Sequence, residues 1–172
     1  MKILTIGDIV SQQGCEYLRK ELPALKKELG ADIVIANGEN SAVGNGVLPQ
    51  SATYILDCGV DAITLGNHSL KRREIYDYLD SDNPIIRPAN YHSSAPGRGY
   101  MIIDKGYCQI AVINLQGSVF MEPVENPFSV IDKIIEEIKA QGIDMILVDF
   151  HAETTSEKRA MGFYLDGKIS AL

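Results

Sequence analysis

Asp8, Glu39, Asn40, Asn67, His68 and His151 are the residues of this chain whose types and places could do chemistry. Each falls at or just past the end of an apolar run. Residues 2–7 precede Asp8, 32–37 lead to Gly38-Glu39-Asn40, 61–65 lead to Gly66-Asn67-His68, and 144–150 lead to His151. Carboxylates, carboxamides and imidazoles are oxygen and nitrogen donors without thiolate. That set suits Mn²⁺, Fe or Zn²⁺, and Mg²⁺ less well. A carboxylate such as Glu39 can bridge two metals. A water between paired metals becomes a hydroxide near neutral pH, which suits in-line displacement at phosphorus. His68, beside ligand Asn67, would protonate the leaving oxygen.

Taken singly, each residue also has a plain structural reading. Asp8 could cap the following segment, Glu39-Asn40 could be turn residues, and His151 could be a satisfied core histidine. Gly66-Asn67-His68 could be a sharp turn, made easy by glycine, carrying a surface histidine. The agreement of four separate strand ends is what favours a shared site. His92 sits in a polar loop and reads as a surface residue. Gly44-Asn45-Gly46 reads as a mobile loop rather than a phosphate cradle, and Arg87 as a phosphate clamp or a salt-bridge partner.

The elements that must position these groups alternate between strand and helix. Residues 9–14 read as a loop. Leu18, Leu22, Leu25 and Leu29 then form a helical core stripe, with Pro23 predicting a kink or two pieces and Gly30 a C-cap. A helix is expected from Pro49 to about Gly59, and a short one over 71–80 with Ile75, Tyr76 and Leu79 inward. Residues 84–90 give a short strand, and 100–104 with 108–114 a hairpin turning at Lys105-Gly106. Asn126-Pro127 starts a helix whose buried face is Val130, Ile131, Ile134, Ile135 and Ile138. Thr154-Thr155-Ser156-Glu157 is a capping-box pattern. Residues 169–172 read as the opening of another strand. Such alternation predicts an α/β domain with a largely parallel sheet, in which ligands gather beyond the carboxyl ends of the strands.

The 172 residues are enough for one domain with a core. Three scattered cysteines give no Cys-x-x-Cys pair and no disulfide framework, which fits a reducing cytoplasm. No apolar run approaches a membrane span. A net charge of −7 argues against a long nucleic acid partner, but not against a small phosphorylated ligand met through a bound metal. There is no dinucleotide fingerprint and no Walker pattern.

Six stretches resemble one family in order along the chain. They are Ile6-Gly7-Asp8-Ile9-Val10, Asn37-Gly38-Glu39-Asn40, Gly66-Asn67-His68, Arg87-Pro88-Ala89-Asn90, Ile113-Asn114-Leu115-Gln116-Gly117 and residues 149–158. The chain is similar to the YmdB-like branch of the calcineurin-like metallophosphoesterases. The resemblance implies a single domain over residues 1–172 with an αββα sandwich fold. It implies two metal ions, iron or manganese before magnesium or zinc, and hydrolysis of phosphodiesters such as 2′,3′-cyclic nucleotides. It places Asp8 and Asn40 on the first metal, Glu39 as the bridge, Asn67 and His151 on the second metal, and His68 as general acid. It also implies a homo-oligomer.

The family pattern continues to a Gly-x-His-x-His motif, with one histidine for each metal, that is not among these residues. The expectation is therefore a sandwich incomplete at its C-terminal side, with weakened metal binding and impaired turnover. A non-catalytic nucleotide- or partner-binding protein of the same fold is the alternative. The interrupted strand at 169–172 would leave a sheet edge open for pairing with a second chain. Ser11 and Cys15 stand where the family has glycine and arginine, and Ser69-Leu70-Lys71 where it has Thr-Trp-Asp.

Overall fold

The apolar runs that precede the candidate residues pair as strands of two separate sheets. The structure, a computed structural model, describes residues 1–172. It divides into two compact units, Met1–Ile86 and Arg87–Leu172, each with its own apolar core.

In the first unit β1 (Ile3–Ile6), β2 (Ile33–Asn37), β3 (Ala62–Thr64) and β4 (Ile85–Ile86) form a parallel sheet in that order. β2 is buried along its whole length, as an unbroken apolar run requires of a strand covered on both faces. Its pairing with β3 sets Asn37 level with Thr64, so the loops after both strands leave the sheet side by side. Helix α1 (Ser11–Leu29) follows β1, and α2 (Pro49–Asp57) follows β2 with Pro49 at its first turn. After β3 come a 3-10 turn, Arg73–Ile75, and the short α3 (Tyr76–Leu79).

α1 departs from expectation twice. It begins at Ser11, within the segment read as a loop, because the Ser11 amide finds a distant acceptor, the Asn40 carbonyl, at 2.8 Å. It also runs through Pro23 as one helix. That proline is exposed, so the Arg19 carbonyl it leaves without a helical donor faces water. The buried face is Cys15, Leu18 and Leu22, while Leu25 and Leu29 stay exposed. Gly30 caps the helix in the left-handed region, as expected.

The second unit holds β5 (Tyr100–Asp104), β6 (Gln109–Gln116) and β7 (Ile146–His151). β5 and β6 form the expected antiparallel hairpin, and β6 pairs with β7 in parallel. α4 (Pro127–Ala140) is capped by Asn126, whose side chain accepts from Phe128 N at 2.9 Å, and it buries Ile131, Ile135 and Ile138. α5 (Thr155–Leu165) is capped by Thr154. Beyond α5, Ala171 forms an isolated parallel bridge with Leu147 of β7. The run read as a strand over 84–90 is shorter, ending at Ile86, because Arg87 N turns to the Arg98 carbonyl.

Ile63 lies on β3 between two neighbouring strands and is fully buried, whereas Leu25 is 38% exposed. Ile63→Ala is expected to lower stability by about 2–5 kcal/mol. Leu25→Ala should change it by no more than about 0.5 kcal/mol. Urea unfolding of the two variants measures the difference.

Candidate metal and proton-transfer site

Four of the residues singled out from sequence are joined by direct hydrogen bonds in the first unit. Asp8 stands just past β1, and Glu39-Asn40 just past β2. The Asn40 amide nitrogen donates to Asp8 Oδ2 at 2.8 Å and to Glu39 Oε1 at 3.2 Å. Glu39 is buried, at 1% exposure, and its other oxygen accepts from the His68 backbone N–H at 2.9 Å. A buried carboxylate needs such donors. Asn37, the last residue of β2, holds the turn from inside. Its Oδ1 accepts from Glu39 N at 3.1 Å, and its amide donates to Leu65 O, beyond β3, at 3.2 Å. Asn67 precedes His68 on the same loop and is half-buried.

Gly66 does not enter the left-handed region. The turn after β3 is closed instead by Ser69, whose N–H and hydroxyl both donate to the Gly66 carbonyl.

The proton positions around His68 follow from its neighbours. Ionised carboxylates only accept, so the Asn40 nitrogen must face Asp8 and Glu39, and its oxygen faces His68. His68 Nδ1 lies 2.6 Å from that oxygen and therefore carries a hydrogen. Nε2 is then the nitrogen left to give or take a proton. A protonated His68 ring would also pair with Glu39 Oε1, 3.5 Å from Nδ1.

The donor set fits a divalent cation. Asp8 and Glu39 converge on one donor, the N–H hydrogens of the Asn40 amide, and two carboxylate oxygens so gathered are hard ligands for a metal ion. No three His, Cys, Asp or Glu side chains are grouped as a metal cage, so a metal here would draw on the carboxamides of Asn40 and Asn67 as well.

In the second unit His151 ends β7, opposite Gln116 of β6, and its carbonyl accepts from Gly117 N at 2.8 Å. Gly117 has no room for a side chain: a Cβ would come within 2.4 Å of Glu157 Oε2 and 2.7 Å of Ala152 Cβ. Glu157 is the capping-box residue, yet its carboxylate does not close the box on Thr154. It is buried and accepts from Ser118 N, Ser118 Oγ and Val119 N at 2.9, 3.0 and 3.3 Å. Arg87, read from sequence as a phosphate clamp or salt-bridge partner, reaches backbone carbonyls near it in the chain. It is buried and donates to the carbonyls of Pro88, Ala95 and Pro96. Asn90 likewise ties the Gln116 and Glu125 carbonyls. His92 is exposed, as expected.

Sequence reading did not single out Asn37 or Glu157 for these roles. Asn37 sits within a quoted motif, but its partner Leu65 lies 28 residues away.

Parallel strands, with carboxylate, carboxamide and imidazole groups at their carboxyl ends, define an α/β protein with a metallophosphoesterase-like fold. The chain belongs to the family described as YmdB-like protein, whose model matches residues 4–172. It is 41% identical to the 2′,3′-cyclic-nucleotide 2′-phosphodiesterase of Bacillus subtilis (strain 168) over 172 residues, which are 100% of this chain and 65% of that protein. The fold matches the crystal structure of a hypothetical protein from Thermus thermophilus with a TM-score of 0.92 and 39% identity, covering 99% of this chain and 65% of that one. It also matches a novel phosphatase of Mycoplasma pneumoniae with a TM-score of 0.90 and 30% identity, covering 99% and 62%. The chain thus spans just under two thirds of the length of these relatives. No helix is long and apolar enough to cross a membrane.

Asn40→Ala removes the acceptor that holds the hydrogen on His68 Nδ1. Nitrogen NMR of the His68 ring should show the Nδ1–H form predominating in the neutral wild-type ring and declining in the variant. Equal populations in both proteins would refute the assignment.

Proposed function

We propose that this chain carries the chemistry of a metal-dependent phosphodiesterase acting on small phosphodiesters, 2′,3′-cyclic nucleotides among them. The observation that carries the reading is the Asp8–Asn40–Glu39–His68 network, which sets two carboxylates against one point and leaves His68 Nε2 available. The name of the Bacillus subtilis relative supports the substrate class. The net charge of −7 favours a small ligand over a polyanion.

In the proposed site Asp8, Glu39 and Asn67 would hold divalent cations, manganese, iron or zinc by the donor chemistry, and Asn40 would join them only through Oδ1, the oxygen that also accepts from His68 Nδ1. His151, which ends β7 in the second unit, carries an imidazole of the same donor class. The cations supply Lewis acidity toward water and the phosphoryl oxygens. Asn40, with its main chain tied to Ser11 and its side chain to His68, orients the carboxylates and the imidazole together. Water adds at phosphorus and releases a proton, one phosphorus–oxygen ester bond breaks, the leaving oxygen takes a proton from Nε2–H of the doubly protonated His68 ring, and the proton released by water restores that ring. A cyclic diester so opened becomes a monoester with a free hydroxyl. Carboxamides suit this site because they bind a cation without adding negative charge, which would repel the substrate.

The test is turnover of bis-p-nitrophenyl phosphate and 2′,3′-cyclic AMP with Mn²⁺ or Fe²⁺, with bound metal measured alongside. Asn67→Ala is expected to lower turnover by more than the roughly 10–100-fold typical of an outer-shell change. His68→Ala should spare metal binding and slow the ester with the poorer leaving group more than the p-nitrophenyl ester. Stoichiometric nucleotide binding without turnover would instead favour a regulatory binding protein. Absence of both metal and turnover would exclude the catalytic reading for this chain.

A further inference from the structure

The loop after β2 carries Glu39 and Asn40, the loop after β3 carries Asn67 and His68, and a residue that belongs to neither strand end joins them. Arg72 lies four residues beyond His68. Its Nη2 donates to the Val43 carbonyl at 2.6 Å and its Nε to the Asn45 carbonyl at 3.1 Å. Between and beyond those carbonyls the backbone is unusual: Gly44, Asn45 and Gly46 have φ of 74°, 70° and 80°. Three consecutive left-handed residues, one of them not glycine, need outside support. Ala42 N to Gly46 O, at 3.0 Å, closes the excursion from within. Arg72 supplies the outside contact. Its stem packs so closely that a Cβ on Gly46 would lie 2.8 Å from Arg72 Cγ.

The excursion returns directly to the candidate groups on both sides. Ser41 N bonds to Gly38 O at 3.1 Å, framing Glu39 and Asn40, and Lys71 N bonds to His68 O at 3.1 Å. The bonds that join the two loops include His68 N on Glu39, His68 Nδ1 on Asn40, and the Arg72 fork on Val43 and Asn45. The first two bonds involve the chemistry itself. The third stands apart from the candidate groups and does not change with the protonation of His68.

We propose that Arg72 is a positioning residue, a staple between the 43–46 excursion and the 69–72 segment that keeps Asn40 within hydrogen-bond reach of His68. Two nitrogens of its guanidinium already serve backbone carbonyls, so its part is geometric rather than capture of a phosphate. Lysine, a point charge, cannot make both bonds in one plane. The kinetic part of the proposal rests on the phosphodiesterase reading; the structural part does not.

The experiment compares wild type, Arg72→Ala and Arg72→Lys by steady-state kinetics on bis-p-nitrophenyl phosphate with Mn²⁺, and by nitrogen NMR of the His68 ring. Misplacement on this scale should lower kcat roughly tenfold or more in Arg72→Ala and leave KM within about twofold. Added guanidinium ion should recover part of the loss in Arg72→Ala, and Arg72→Lys should resemble the alanine variant. The His68 Nδ1–H population should fall in both variants. A rise in KM at unchanged kcat would mean contact with substrate and would overturn the staple. So would unchanged His68 ring signals in folded Arg72→Ala. If wild type turns over no phosphodiester, the proposed function is at fault and the ring signals alone decide. If Arg72→Ala does not fold, Gly46→Ala, which displaces the arginine stem, must reproduce the loss of the Nδ1–H form; an unchanged ring in that variant refutes the staple.

Discussion

The first unit's site depends on one carboxamide with no choice of orientation. Asn40 lies between acceptors that cannot donate, Asp8 and Glu39, and a ring that can do either, His68. The carboxylates fix the amide nitrogen, the amide oxygen then fixes the imidazole tautomer, and the tautomer leaves Nε2 for proton transfer. The arrangement needs three loops at one level. The β2–β3 register supplies two of them through Asn37 and Thr64, and the bond from Ser11 N to Asn40 O brings in the third.

What could be read from the sequence was local. Strand ends, the proline and asparagine at the start of α4, the Gly30 cap and the hairpin turn each follow from a few adjacent residues. The strand-end position of Asp8, Glu39, Asn67-His68 and His151 follows equally from adjacent apolar runs. What escaped was decided by distant partners. The start of α1 is set by the Asn40 carbonyl, 29 residues from Ser11 in the numbering, and Arg72 bonds Val43 across a separation of 29. Pro23 shows the same limit in reverse: a local rule for breaking helices yields where the affected turn faces solvent.

Glu157 shows why a specific motif is not a roll of reacting groups. Thr154-x-x-Glu157 has the form of a capping box, and Thr154 does cap α5. The glutamate instead turns inward to the loop after β6, where Gly117 leaves room for its carboxylate and Ser118 and Val119 provide donors. Gly117 N in turn bonds the His151 carbonyl. Asn90, Gln116, Gly117 and Glu157 therefore form a buried polar scaffold around two strand ends. Within it, Gln116 Oε1 is buried with no hydrogen-bond partner. Leaving such an acceptor open costs about 1–3 kcal/mol, so a donor arriving there would be favoured.

Electrostatics gives the proposed metal a definite task. Asp8 and Glu39 already direct carboxylate oxygens at one atom, and the chain as a whole is acidic. A phosphodiester carries a negative charge of its own. Two unit charges 4 Å apart near a protein surface interact by about 4 kcal/mol at an effective dielectric of 20. A bare pair of carboxylates would thus hold a phosphodiester at a distance, and the single neutral amide between them cannot reverse that repulsion. A small, highly charged cation reverses it, and its attraction for the substrate grows as water leaves the site. On the proposed reading, the acidic groups that by themselves repel phosphate are therefore the groups that make the site receptive to it once a divalent ion is bound.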